Sequence, residues 1–251
     1  MMKKKFLVVV VTGLFLLTMA GMAQATLTTI GTAEYFGTDY NLIWDDDNNG
    51  NSIVWLDYSN YDDWTVQNTW AAGLDSNLTY NLNSGYSVAW DDPAWRLPDT
   101  VDGIAVYGYE GDPDGDGNYT YTYGCNLANS EMGHLYYTEL GNLGYYDTIG
   151  NYVGDGNWGL KNTGDFDNLI ASWYWSGTEY ADYPDYAWHF YMDYGLQDSN
   201  RYYKHNGEYG LAVRSGQISA APVPEPATML LLGTGLAGVA ALKRRKGAFV
   251  K

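Results

Sequence analysis

Oxygen donors stand at alternate positions in Asp112-Pro113-Asp114-Gly115-Asp116-Gly117-Asn118. Counted from Asp112, side-chain oxygens of Asp112, Asp114, Asp116 and Asn118 fall at loop positions 1, 3, 5 and 7, with glycine at 6. That is the spacing of half an EF-hand calcium loop. Thr120, at position 9, would act through a water molecule. Tyr123 stands at position 12, where such loops carry a bidentate glutamate, and Pro113 is foreign to the pattern. The plain alternative is a solvated turn, which aspartate and glycine favour by themselves. Asp45, Asp47 and Asn49 form a second, poorer set of the same kind.

Paired carboxylates can hydrolyse glycosidic bonds, and Glu131, Glu139 and Glu179 are the acids that fall in motif-like stretches. In a chain with 30 acidic residues some pairing arises by chance. No G-x-S-x-G is present, and His134, His189 and His205 lie in unrelated contexts. The one cysteine, Cys125, excludes an intramolecular disulfide. No C-x-x-C and no H-x-x-x-H pattern offers a zinc site. The sequence therefore points to a non-enzymatic protein, with a polysaccharide-modifying hydrolase as the alternative.

Both ends of the chain read as addresses. Met1-Met2-Lys3-Lys4-Lys5, an apolar run from Phe6 to Met19, and small residues at Ala23 and Ala25 make a secretory signal over residues 1–25. At the other end Val223-Pro224-Glu225-Pro226 precedes 16 largely apolar residues, 227–242, and then Lys243-Arg244-Arg245-Lys246. A helix needs about 20 residues to cross a hydrocarbon core, so this span is marginal for a transient inner-membrane anchor. By the positive-inside rule the basic cluster stays cytoplasmic and the body lies outside. The layout over 223–246 resembles the PEP-CTERM sorting signal, whose box is Pro224, Glu225 and Pro226. The resemblance implies the Sec translocon and an exosortase as partners. It also implies delivery to the cell surface or extracellular polymer of a Gram-negative bacterium.

Between Thr26 and Pro226 the chain keeps five basic residues, Arg96, Lys161, Arg201, Lys204 and Arg214, against all 30 acidic ones. Such a surface repels nucleic-acid phosphates and anionic headgroups. It admits divalent cations and neutral glycans. Ten Trp and 25 Tyr are too many for a disordered acidic tail; rings and short amides also suit sugar binding, although most rings belong in a core.

The elements that must position these residues follow from periodicity. Residues 26–42 read as an N-terminal edge segment, Asp45 to Gly50 as a turn cluster, and Ser52 to Leu56 as a strand. A helix spans Asn60 to Leu74 with Val66, Trp70 and Leu74 on its apolar face, and a second runs from Ser130 to Leu140 with Met132, Leu135, Tyr136 and Leu140 inward. His134 falls off that stripe. Runs at 172–176, 187–194 and 209–214 read as antiparallel strands; in the second, Trp188, Phe190, Met192 and Tyr194 share one face and His189 the other. Arg96 and Arg214 should each pair with a carboxylate. Residues 217–222 form a linker.

Several boxes in order resemble one known family. They are Leu42 to Asp47 with Trp55-Leu56, Trp95-Arg96-Leu97-Pro98, Ser130 to Leu135, Tyr174 to Tyr180, Ala187-Trp188 and Leu211 to Arg214. They are similar to the Lcl C-terminal-like domain of unknown function, which would cover residues 43–216. The resemblance implies an α+β, C-type-lectin-like fold related to sulfatase-modifying factors, with two helices on small antiparallel sheets. It implies no established chemistry.

Overall fold

Phe36-Gly37 and Asn49-Gly50 each carry two consecutive positive φ angles, 50° and 80° at the first pair, 51° and 81° at the second. This is the I′ geometry that closes two-residue hairpins. The turns fold β1 (Leu27–Tyr35), β2 (Thr38–Asn48) and β3 (Asn51–Asp62) into an antiparallel meander. Asp63 caps α1 (Trp64–Gly73), its Oδ1 accepting from the Val66 amide at 2.9 Å. Strands β4 (Leu78–Leu82), β5 (Tyr86–Trp90), β6 (Tyr107–Gly108) and β7 (Tyr123–Cys125) follow. Next, α2 (Glu131–His134) continues as a π-helical turn over Leu135–Glu139. The chain closes with β8 (Trp173–Glu179), β9 (Ala187–Tyr191), β10 (Leu196–Asp198) and β11 (Glu208–Ala220). This computed structural model describes residues 27–102, 107–108, 122–199 and 203–220. The leader, the Asp112–Asn118 loop and the sorting segment lie outside them.

Ten strands form one sheet in the order β4-β1-β2-β3-β11-β8-β9-β10-β7-β6, and β5 pairs with the far end of β11. The sheet is mixed, because β11 meets β8 and β6 meets β7 in parallel. Its centre is covered on both faces. From β3, Val54 and Leu56 enter one core with Trp95, Leu97, Trp175 and Ala212, closed over by Ala71 and Leu74 at the α1 end. Ile53 and Trp55 enter the other with Tyr174, Phe190, Leu211 and Val213, closed over by Met132, Leu135, Tyr136 and Leu140. A strand buried on both faces needs apolar residues at every position, and Ile53-Val54-Trp55-Leu56 supplies them.

This arrangement corrects the expected fold class. Of the described residues 47% are strand and 13% helical, so the chain is a mainly β protein with one large mixed sheet. It is not an α+β, C-type-lectin-like domain with two helices on small sheets. Residues 26–42 are not an edge segment either, since β1 lies between β4 and β2 and β2 runs through positions 42 and 43. Strand β11 extends to Ala220, past the expected body and into the expected linker. Among the described residues no helix is long and apolar enough to cross a membrane.

Both helices form where periodicity places them, with altered limits and faces. The register of β11 with β3 holds Asn60 and Asp62 in the sheet, so α1 starts four residues later than expected. Val66 is exposed; Gln67, Ala71 and Leu74 point inward. Gln67 is tolerated inside because its Nε2 donates to the carbonyls of Asn60 and Glu208 at 2.9 and 3.0 Å and its Oε1 accepts from Asn60 Nδ2. The second helix buries Met132, Leu135, Tyr136 and Leu140 as expected. Strand β9 is buried on both sides, His189 included, and Tyr194 is exposed in the turn after it.

Candidate metal centre

The Ser130-Glu131-Met132-Gly133-His134 stretch assigns one task to each residue. Ser130 Oγ accepts from the Gly133 amide at 3.0 Å and starts the helix. Glu131 accepts from Arg96 Nη1 and Nη2 at 2.7 Å each, and from the Asp99 amide at 2.7 Å. Met132 enters the core. At Gly133 an added Cβ would lie 2.0 Å from the Leu127 carbonyl oxygen, so no larger residue fits. His134 is left facing the tip of the β2–β3 hairpin.

There one donor atom from each of Asp45, His134 and Glu139 lies within 4.8 Å of the others. His134 Nδ1 is 3.3 Å from Asn49 Oδ1, and Nε2 is 3.3 Å from Glu139 Oε1. The amide oxygen can only accept, so this contact places the ring proton on Nδ1 and the lone pair on Nε2. Asp45 Oδ2 accepts from Asn48 Nδ2 at 2.8 Å and from Trp55 Nε1 at 3.2 Å. Asn48 Nδ2 also donates to the Glu131 carbonyl at 3.1 Å, and Asn49 Nδ2 to the Ser130 carbonyl at 3.4 Å, tying the hairpin to the helix. Three oxygens are buried without a hydrogen bond: Asp45 Oδ1, Asn48 Oδ1 and Glu139 Oε2.

The turn that carries Glu139 is unusual. His134 and Glu139 are five residues apart, which on an α-helix is not a facing pair. The i→i+5 bond from the Leu140 amide to the Leu135 carbonyl, 2.9 Å, widens the turn and brings Glu139 beneath His134. Burial, with repulsion from Asp45, Asp46 and Asp47, pushes the Glu139 carboxyl up to about 7. Burial pushes Asp45 up to about 6 against hydrogen bonds from Asn48, Trp55 and the Asp47 backbone, and it pushes His134 down. Two carboxyls and a neutral imidazole in this setting either share protons or hold a cation.

The other candidate residues are placed apart. Glu131 is committed to Arg96, and Glu179 to Lys204. Arg214 pairs with Asp75 at 2.6 Å and lies over the Trp90 ring. His189 sits in the sheet interior 3.4 Å from Glu208; burial pushes the imidazole down to about 3 and, with Asp198 beside it, the carboxyl up to about 8, so the contact is between neutral groups. His205 stacks on Tyr203 at a surface cleft. Cys125 is buried and its thiol is pushed up by burial. Asp45 is no turn residue but a buried position within β2, three residues before its end. Asp112, Asp114, Asp116 and Asn118, with Ala23, Ala25, Pro224, Glu225 and Pro226, fall outside the described residues.

Comparison with known proteins bears on that last set. Residues 222–246 match the PEP-CTERM protein-sorting motif. The motif marks an exported, exosortase-processed protein whose C-terminus is directed to the cell envelope. No curated protein and no solved structure matches the chain, so residues 43–216 gain no support as an Lcl C-terminal-like domain.

Proposed function

We propose that the mature protein is a non-enzymatic component of the cell surface or extracellular polymer of a Gram-negative bacterium. Sec export removes residues 1–25, and an exosortase removes the segment after Pro224-Glu225-Pro226. The match of residues 222–246 supports the export and exosortase processing in this reading. Mass spectrometry of the surface form is expected to show a start near Thr26 and loss of the basic tail. Recovery of Lys251 from mature surface protein would sink the proposal.

Glycan contact and weak calcium binding complete the proposed role. The acidic body, with few cations and many rings, suits neutral sugars and divalent ions. Lacking glutamate at position 12, the Asp112–Asn118 loop is expected to bind calcium at or beyond the extracellular range of ~10⁻⁴–10⁻³ M. Calorimetric titration of the protein and of Asp114→Ala tests this; equal responses return the loop to a solvated turn.

The hydrolase alternative has one observation in its favour. Asp63 and Asp185 both line a surface cleft of about 420 Å³ beside His205. Asp63, however, is engaged as the cap of α1, which withdraws one of its oxygens from chemistry. Glu131 and Glu179 are held by cations and Glu139 lies beside Asp45 and His134, so the three acids singled out in the sequence do not face one another.

A further inference from the structure

We propose that Asp45, His134 and Glu139 bind a divalent transition-metal ion, which fastens the tip of the β2–β3 hairpin to the second helical segment. The inference stands on geometry and does not depend on how the chain is sorted.

Buried polar atoms are almost always satisfied, and a buried carboxylate oxygen without a donor is costly. Here two such oxygens, Asp45 Oδ1 and Glu139 Oε2, belong to side chains whose donor atoms lie within 4.8 Å of each other. Asp45 is fully buried, and the Glu139 side chain is 1% exposed. Shared protons would engage the Glu139 oxygen that faces His134 and leave Oε2 as it is. A cation satisfies both carboxylates at once. Two carboxylates, a neutral imidazole and a doubly charged ion also sum to zero, which is the charge a buried site requires.

The surroundings are those of a ligand set. A metal-bound histidine commonly donates its second ring N–H to an oxygen acceptor, which fixes its tautomer, and ligating carboxylates are themselves held by hydrogen bonds. His134 donates from Nδ1 to Asn49 Oδ1, and Asp45 Oδ2 is held by Asn48 and Trp55. The π-helical turn is a local departure that aligns Glu139 with His134; such turns recur at functional sites. The imidazole decides the class of ion. Calcium takes six to eight oxygens and magnesium keeps its waters, whereas imidazole with carboxylates suits zinc and its neighbours in the first transition row. Water completes the coordination from the partly exposed His134 side.

The test is calorimetric titration of metal-stripped, untagged full-length protein with zinc, manganese and calcium chlorides, with thermal melts in parallel. One equivalent of zinc or manganese is expected to bind and to raise the melting midpoint. Glu139→Gln and His134→Gln each are expected to weaken binding by at least about tenfold. Glutamine keeps the volume at Glu139, and His134→Gln reports independently if the first variant fails to fold. Absence of zinc and manganese binding to the wild-type chain overturns the proposal. So does binding of calcium alone, or transition-metal binding that neither substitution weakens.

Discussion

Trp175→Ala and Trp188→Ala are each expected to lower the melting midpoint by roughly 6–20 °C, or to prevent folding. Both indoles are fully buried. Trp175 stands in β8 among Val54, Leu56, Trp95 and Ala212. Trp188 stands in β9, with Tyr180 edge-on at 5.4 Å and its Nε1 donating to Asp102 at 2.9 Å. Truncation removes the transfer energy of the ring and leaves a cavity in a sheet layer that cannot collapse, about 3–5 kcal/mol. A domain of this size holds about 5–15 kcal/mol in total. A sugar-stacking tryptophan would behave in the opposite way: exposed, cheap to remove, and needed for binding. Thermal melts of the two variants against the wild-type chain separate these roles. An unchanged midpoint with lost glycan binding would make the substituted tryptophan a binding residue and overturn its structural assignment.

How much of this was legible in the sequence depends on the range of the interaction concerned. Some local signals were sound, although Val66, expected inward, is exposed. Met132, Leu135, Tyr136 and Leu140 do form a buried stripe, and Gly141 at φ 62° ends it. Arg96 and Arg214 do pair with carboxylates. Long-range pairing was the source of error. Asn60 to Asp62 suit a helix in isolation, but the register with Glu208 to Gly210 keeps them in the sheet. Alternation in 187–194 puts His189 opposite the apolar row, and burial of β9 on both sides makes that face interior as well. With both faces covered, β3 and β11 become the centre of a ten-strand sheet, and the small-sheet expectation fails.

The metal centre shows the same limit. Asp45, His134 and Glu139 were each visible as chemistry-bearing residues, in three different roles. No spacing rule joins them, because Asp45 arrives from β2, far away in sequence, and the His134–Glu139 step depends on a π-helical turn. Asn49-Gly50 was the one available clue, as a hairpin signal that could bring Asp45 to a defined tip. What the tip would meet was set by Asn48 and Asn49 reaching the carbonyls of Glu131 and Ser130.

Glu131→Ala is expected to cost about 3 kcal/mol, or roughly 6–12 °C in the melting midpoint. Glu131 holds three donors, the two Arg96 nitrogens and the Asp99 amide, all at 2.7 Å. Its side chain is 10% exposed and that of Arg96 is 29%, so water replaces the lost bonds only in part. Asp92 and Asp99 remain 3.5 and 3.4 Å from the guanidinium, which keeps the cost at the lower end for a broken buried pair. The pair also locks two segments together. Arg96 bridges to Val213 of β11, while the Pro98 carbonyl accepts from Ser176 Oγ and the Gly177 amide at 2.8 Å each. Loosening Arg96 therefore loosens the contact between residues 95–98 and β8. Replacing both partners, Arg96→Met with Glu131→Met, is expected to recover part of the loss, because neither charge is then left without its bidentate partner. Urea unfolding of the two single variants and the double variant measures the coupling. A cost below about 1 kcal/mol for Glu131→Ala would place the pair with ordinary surface ion pairs and remove it as the anchor of α2.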